Sequence, residues 1–307
     1  MSLLIHIGYH KTGSTFLQKQ VFNQENFGFI SPWCRQDYYE KLLLVNPFLF
    51  DINKTRLFFE EKIEKAAKEN LVSVISEERL SGSITSGGYN NYDMANKLYS
   101  LFPQSKILII IRNQLDMIWS IYKHRLNSDL TVGINEYLEQ IQKEFPSFEP
   151  FFNFDYLQYH WLINHYQSLF GKDQVLVLPY EMLKDNKVLF LEKISNFTKT
   201  NIDTKMNFSQ VNKSYSYLSL YFKRWTNFFA PRICRVNSSL YQKINNSFFY
   251  RLNQVVENTI PEALIQKVEN HMKEIIAEKI HNYYIESNQK TSNIINMDLS
   301  LYNYQME

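Results

Sequence analysis

Residues 3–15 read Leu-Leu-Ile-His-Ile-Gly-Tyr-His-Lys-Thr-Gly-Ser-Thr, and this run constrains the chain more than any other. A short apolar strand enters a tight turn, and a helical pattern over Thr15 to Phe22 follows. Gly8 and Gly13 let the backbone approach a ligand closely, and the amides that open the helix at Ser14 and Thr15 point toward an anion. Lys11 adds a mobile positive charge, and the hydroxyls of Thr12, Ser14 and Thr15 are available to oxyanions. The group held here is phosphate-like. It is not held in the loop common to nucleotide triphosphatases, which sets its lysine directly after the last glycine. Here Lys11 precedes Gly13 by two residues.

The rest of the chain supplies a sheet for that loop. Leu3 to Ile7, Leu71 to Ser76, Lys106 to Ile111 and Gln174 to Leu178 are apolar on both faces, as parallel strands buried between helices are. Helical spacing lies between them at Leu57 to Glu69, Tyr92 to Leu101, Leu115 to Leu126 and Tyr156 to Phe170. The alternation predicts an α/β fold, a P-loop-like open parallel sheet flanked by helices, with ligands at the carboxyl ends of the strands. Leu189 to Phe197 and Pro261 to Tyr284 continue as helices, so the C-terminal part is a helical extension. No linker or repeat divides the chain. One domain is expected, with residues 1–200 as the nucleotide-binding core and 201–307 as the mostly helical extension.

A second anion site follows the third of those strands. Lys106 to Ile111 ends at Arg112, and Ser120 comes eight residues later on the next helix. Arginine offers a fork of donors and serine a hydroxyl, a pair suited to a dianionic monophosphate. A triphosphatase would place an Asp near this position for Mg²⁺. The alternative is a plain ion pair between Arg112 and Asp116. The net charge of +2 is too small for a nucleic-acid binder that works by bulk charge, so any anion site is local and no nucleic-acid partner is expected. Cys34 and Cys234 make neither metal-ligand spacing nor a disulfide framework, and partly buried free thiols in a reducing compartment are expected. With no secretory signal visible and no aliphatic run near ~20 residues, a cytoplasmic protein is the simplest expectation.

With both motifs in place, the chain resembles the sulfotransferases that use 3′-phosphoadenosine 5′-phosphosulfate (PAPS), most of all bacterial members acting on surface glycans. His10-Lys11-Thr12-Gly13-Ser14-Thr15 is similar to their 5′-phosphosulfate loop, and Arg112 with Ser120 to their 3′-phosphate site. The likeness continues through residues 81–89, Val175 to Glu181, Val211 to Ser214 and the end of the chain from Tyr284. It implies PAPS as co-substrate, no metal, and transfer of the sulfuryl group to an acceptor hydroxyl. The late Arg-Lys-Gly loop of the animal cytosolic members is missing, and Lys213 is the substitute the resemblance offers for contacts to the far phosphate.

Two carboxylates, Glu77 and Glu78, end the second predicted strand beside the anion site. An acceptor hydroxyl must lose its proton as it attacks sulfur, and a positioned Glu can take it. Extended backbone aims neighbours in opposite directions, so only one faces the donor. The family pattern points to Glu78, with Glu77 second and His10, inside the loop, third. His6 alternates with core residues and reads as a core histidine.

Four readings of function are carried forward. The first is sulfuryl transfer to a saccharide hydroxyl on a bacterial glycan, and the second is transfer to a lipid or sterol alcohol. The third is a P-loop-type kinase, and the fourth a nucleotide-binding protein without catalysis. The stretch Tyr215 to Leu252 puts Tyr217, Leu218, Leu220, Tyr221, Trp225, Phe228 and Phe229 at helical spacing beside Lys223, Arg224, Arg232 and Arg235. It reads either as a packed helix with solvated cations or as a flap or peripheral membrane contact. Nothing in the sequence fixes the oligomeric state.

Overall fold

In the computed structural model the described residues are 2–84, 87–139, 152–204, 215–229 and 250–307, except 253 and 257. Five strands form one parallel sheet: β1 (Leu3–Gly8), β2 (Phe29–Ile30), β3 (Val72–Ser76), β4 (Lys106–Ile111) and β5 (Val175–Pro179). The spatial order is β2-β3-β1-β4-β5. The four apolar runs are therefore strands, and the two-residue edge strand β2 is an addition too short to carry a pattern. Beside short 3₁₀ and π turns and further helical residues between 250 and 259, twelve α-helices accompany them among the described residues. They are α1 (Ser14–Gln20), α2 (Arg35–Tyr38), α3 (Ile52–Lys68), α4 (Asn91–Leu101), α5 (Gln114–Ser128), α6 (Ile134–Tyr137), α7 (Tyr159–Phe170), α8 (Tyr180–Asp185), α9 (Lys187–Thr198), α10 (Tyr217–Phe229), α11 (Glu262–Lys279) and α12 (Ile285–Ile295).

Local chemistry sets several of these boundaries. Asp51 and Asn186 cap α3 and α9 by accepting from the amides of Lys54 and Leu189. Pro103 follows the end of α4 closely, and a proline cannot continue a helix. One continuous helix was expected over Pro261 to Tyr284. Instead α11 stops at Lys279 and α12 begins at Ile285, with Asn282 at φ 60 in the intervening turn.

The described residues fall into two compact units. The first comprises Met1–Gln114, Gln142–Val211 and Asn282–Glu307. In it β1 and β4 are buried nearly end to end, because both faces of the sheet are covered. On one face Leu4, Val74, Leu108, Ile110 and Leu178 pack with Leu17 of α1, with Phe22 just after it, and with Met182, Phe190 and Ile194 of α8 and α9. Alternation sends Ile5, Ile75, Ile107 and Ile109 to the other face, all fully buried. α7 packs against β4 and β5, and α12 packs on α7.

The second unit comprises Leu115–Ile141 and Asn212–His281. Within it Lys273 pairs with Asp116 at 2.7 Å, and Lys123 with Glu269 at 3.5 Å. Lys223 of α10 donates to Asn127 at 2.7 Å. α10 is helical as the spacing predicts. It buries Tyr217, Leu220 and Lys223 and exposes Tyr221, Phe222 and Trp225. The side chains of Phe228 and Phe229, and the whole of Lys213, Arg232, Cys234 and Arg235, lie outside the described residues.

Candidate active site

Strand order decides which motifs meet. β1 sits between β3 and β4, all three parallel, so the segments following them emerge side by side. The phosphate-type loop follows β1, Glu77 and Glu78 follow β3, and Arg112 follows β4.

The loop curls through three residues with positive φ: Gly8 at 91°, Lys11 at 63° and Gly13 at 86°. Lys11 is exposed, and a side chain in this left-handed region costs on the order of 1 kcal/mol. The loop is braced by its own polar atoms. The Tyr9 amide donates to Ile110 O of β4 at 2.8 Å, and the buried Thr12 hydroxyl donates to Tyr9 O at 2.5 Å. The Thr12 proton is therefore spent on the loop itself, and this hydroxyl holds shape. Ser14 differs. It is 3% exposed, and its Oγ has no hydrogen-bond partner among the described residues. Thr15 is half-buried, and first-turn amides such as those of Ser14 and Thr15 have no partners inside their own helix. His10 is half-buried in the same turn.

Arg112 reaches this loop. Its Nη1 donates to Lys11 O at 3.0 Å, its guanidinium lies 5.0 Å from the Tyr180 ring centre, and its buried Nε has no partner among the described residues. Asp116, the ion-pair partner considered for Arg112 in the sequence, pairs with Lys273 at 2.7 Å. Tyr180 also closes on the loop from below: a Cβ at Gly13 would come 3.1 Å from Tyr180 Cε2 and 2.9 Å from Leu183 Cδ2. Ser120 is half-buried on α5 and belongs to the second unit.

The two glutamates part company, as alternation requires. Glu78 lies against the loop, since a Cβ on Gly8 would stand 3.2 Å from Glu78 Cα and 3.3 Å from its Cβ. Glu78 is half-buried. Glu77 is 3% exposed and pairs with Arg35 at 3.4 Å. Burial pushes the Glu77 carboxyl above the usual carboxylate range, the Glu78 charge pushes the same way, and Arg35 pulls it back. Both line a cleft of about 400 Å³ with Thr15, Gln18, Asn23, Ser31, Trp33, Arg35, Tyr38 and Ser76. Eight of these ten lining residues are polar or charged, and Trp33 and Tyr38 are the aromatic members. Trp33 is 5% exposed, and its Nε1 has no partner among the described residues. Beneath the cleft His6 Nδ1 meets Ser76 Oγ at 2.7 Å, and Gln18 Nε2 donates to the same Oγ at 3.1 Å. His6 is the core histidine expected: burial lowers its pKa from 6.5 to about 3, so it stays neutral.

The cleft residues from 23 to 38 belong to no motif, and only their return to the end of β3 makes them part of the site. Gln18 carried a usable signal, since it stands one helical turn from Ser14 and Thr15. Cys34, expected to be partly buried, is exposed at the start of α2, where its amide donates to Asp37.

A strand-end loop with buried donors that have no partner among the described residues thus stands beside a carboxylate-bearing cleft. The chain belongs to the sulfotransferase domain family, whose model matches residues 3–292. It is similar in structure to a sulfotransferase from Alicyclobacillus acidocaldarius, with a TM-score of 0.51 and 16% identity over 98% of each chain. At that identity the likeness speaks for the fold. No curated protein matches the chain significantly.

Proposed function

We propose that the enzyme transfers the sulfuryl group of PAPS to a hydroxyl of a saccharide, a bacterial glycan or its precursor, in the cytoplasm. One observation carries the donor assignment: Ser14 Oγ and Arg112 Nε are buried donors with no partner among the described residues, and both belong to the anion loop and the arginine that touches it. A buried unpaired donor costs about 1–3 kcal/mol, which a bound phosphosulfate or phosphate would relieve. Arg112 holds the 3′-phosphate. Ser120 and Lys213 join it in this proposal on the strength of the family resemblance alone. Lys11 and the loop amides meet charge developing on the bridging oxygen. As the acceptor oxygen bonds to sulfur, the bond from sulfur to that bridge breaks, the adenosine bisphosphate leaves with the electron pair, and Glu78 takes the hydroxyl proton. Fixed cations supply the charge, so no metal is assigned.

The polar cleft favours a saccharide over a sterol or lipid alcohol. Trp33 Nε1 in the cleft wall has no partner among the described residues, and a polyol oxygen can accept from it where an apolar acceptor cannot. A kinase is disfavoured by Arg112 where a metal-binding Asp would stand, and by Lys11 ahead of Gly13. On α10 the exposed Tyr221, Phe222 and Trp225, with Arg224 stacked on two of these rings, support a peripheral membrane contact.

Transfer of labelled sulfate from PAPS to a glycan acceptor tests the proposal. Glu78→Gln should retain donor binding and lose roughly 10²–10⁴-fold in turnover. Transfer from labelled ATP instead, or full activity of Glu78→Gln with a dead Glu77→Gln or His10→Gln, would overturn the donor or the base respectively.

A further inference from the structure

The turn that carries Arg112 is gripped by the far end of the chain. The Tyr159 hydroxyl donates to Arg112 O at 2.6 Å. The next residue, Asn113, donates its amide to Glu181 Oε1 at 3.0 Å and its side chain to Asn303 O. The Tyr304 hydroxyl donates to the second oxygen of the same carboxylate, Oε2, at 3.4 Å. Gln114 Nε2 donates to Asn288 Oδ1 at 2.6 Å, and Asn288 Nδ2 donates to Gln305 O at 2.9 Å. Gln114, Glu181, Asn288 and Tyr304 are all buried. Each protein hydrogen bond in this cluster joins the β4 end, the start of α8 or the last residues of the chain.

A buried carboxylate is costly, and it persists where donors and a nearby cation compensate. Glu181 has the Asn113 amide and the Tyr304 hydroxyl on its two oxygens, and the charges of Arg112 and Lys184 lie close enough to oppose the effect of burial. Its neighbour Tyr180 presents its ring to the Arg112 guanidinium. The first two residues of α8 thus support Arg112 twice, the ring beneath its side chain and the carboxylate beneath its next peptide.

Resting on the reading of Arg112 as the 3′-phosphate ligand, we propose that Glu181 and Tyr304 are positioning residues for that phosphate, and that residues 303–305 form a strap which fixes the Arg112 turn. The strap sets how well the enzyme tells a 3′-phosphorylated nucleotide from one without that phosphate. It touches no substrate itself. Its loss should therefore weaken only the contribution of the 3′-phosphate.

The test is calorimetric binding of adenosine 3′,5′-bisphosphate and adenosine 5′-monophosphate to the full chain. Wild type should prefer the bisphosphate. Tyr304→Phe removes one hydroxyl donor and should cut that preference roughly three- to tenfold, with monophosphate affinity unchanged. Glu181→Gln should do the same or more. In an Arg112→Ala background Tyr304→Phe should have no further effect, because the two act through one contact. Hydrogen exchange across residues 106–114, followed without nucleotide, should speed up in both variants. An unchanged preference ratio, or an equal loss for both nucleotides, overturns the positioning role. Unchanged exchange overturns the strap. Equal affinities in wild type overturn the donor reading instead, a result separable from the other two.

Discussion

His6 should make the folded enzyme acid-sensitive by an amount that can be worked out beforehand. The ring is 0% exposed, tilted against Phe22 at 5.5 Å, and bonded through Nδ1 to Ser76 Oγ at 2.7 Å. Its Nε2 has no partner among the described residues, so nothing there accepts from the N–H that a protonated ring would carry. Burial lowers the pKa from 6.5 to about 3. The folded pKa lies below the unfolded one, so the unfolded chain binds more protons at mildly acidic pH. The contribution of neutral His6 is complete above the unfolded value of 6.5 and is lost as pH falls. The slope is about 1.4 kcal/mol per pH unit, continuing down to the folded value of about 3. Between about pH 7 and pH 5 the loss is about 2 kcal/mol. Urea unfolding of wild type and His6→Gln at those two pH values isolates the term. His160 and His165, whose pKa values burial also lowers, are present in both proteins and cancel in the difference. Wild type should lose about 2 kcal/mol more than the variant across this window. Parallel losses would refute the buried neutral histidine, whatever the variant costs at neutral pH. Because Ser76 and Gln18 link His6 to the cleft, activity in wild type should fail at the acid end together with stability.

Three further outcomes are expected. Ser14→Ala removes a buried hydroxyl that has no protein partner, so its melting temperature should equal or exceed wild type while donor affinity falls roughly three- to tenfold; a clear drop in melting temperature would count against Ser14 as a ligand-facing donor. Gly13→Ala places a methyl 2.9 Å from Leu183 Cδ2 at a φ of +86°, and should cost about 1–3 kcal/mol in denaturant unfolding, with wild-type stability as the refuting result. Vesicles containing anionic lipid should pellet the enzyme at low salt, less so after Trp225→Ala, and no lipid-dependent pelleting would reject the membrane contact of α10.

The sequence by itself determined the four main strands, the parallel sheet and the three motifs at strand ends. Each of these is a local matter. Ile107 to Ile111 has no polar residue to face water, so it must be a strand buried on both faces. Two glycines, a lysine and adjacent hydroxyls after Ile7 mark a tight strand-to-helix turn suited to an anion. Alternation alone also required Glu77 and Glu78 to diverge. What the sequence could not supply was adjacency. That β1 lies between β3 and β4, and so sets Glu78 against Gly8 and Arg112 against Lys11, is a property of strand order. The division of labour among hydroxyls was likewise hidden, since Thr12 and Ser14 look alike until Thr12 is seen bonded to Tyr9 O and Ser14 is not. Trp33, Arg35 and Tyr38 carry no spacing signal, and enter the cleft only because the chain returns to the end of β3. The grip of Tyr304 on Glu181 spans 123 positions, and no local pattern encodes a contact that only the packed sheet brings within reach.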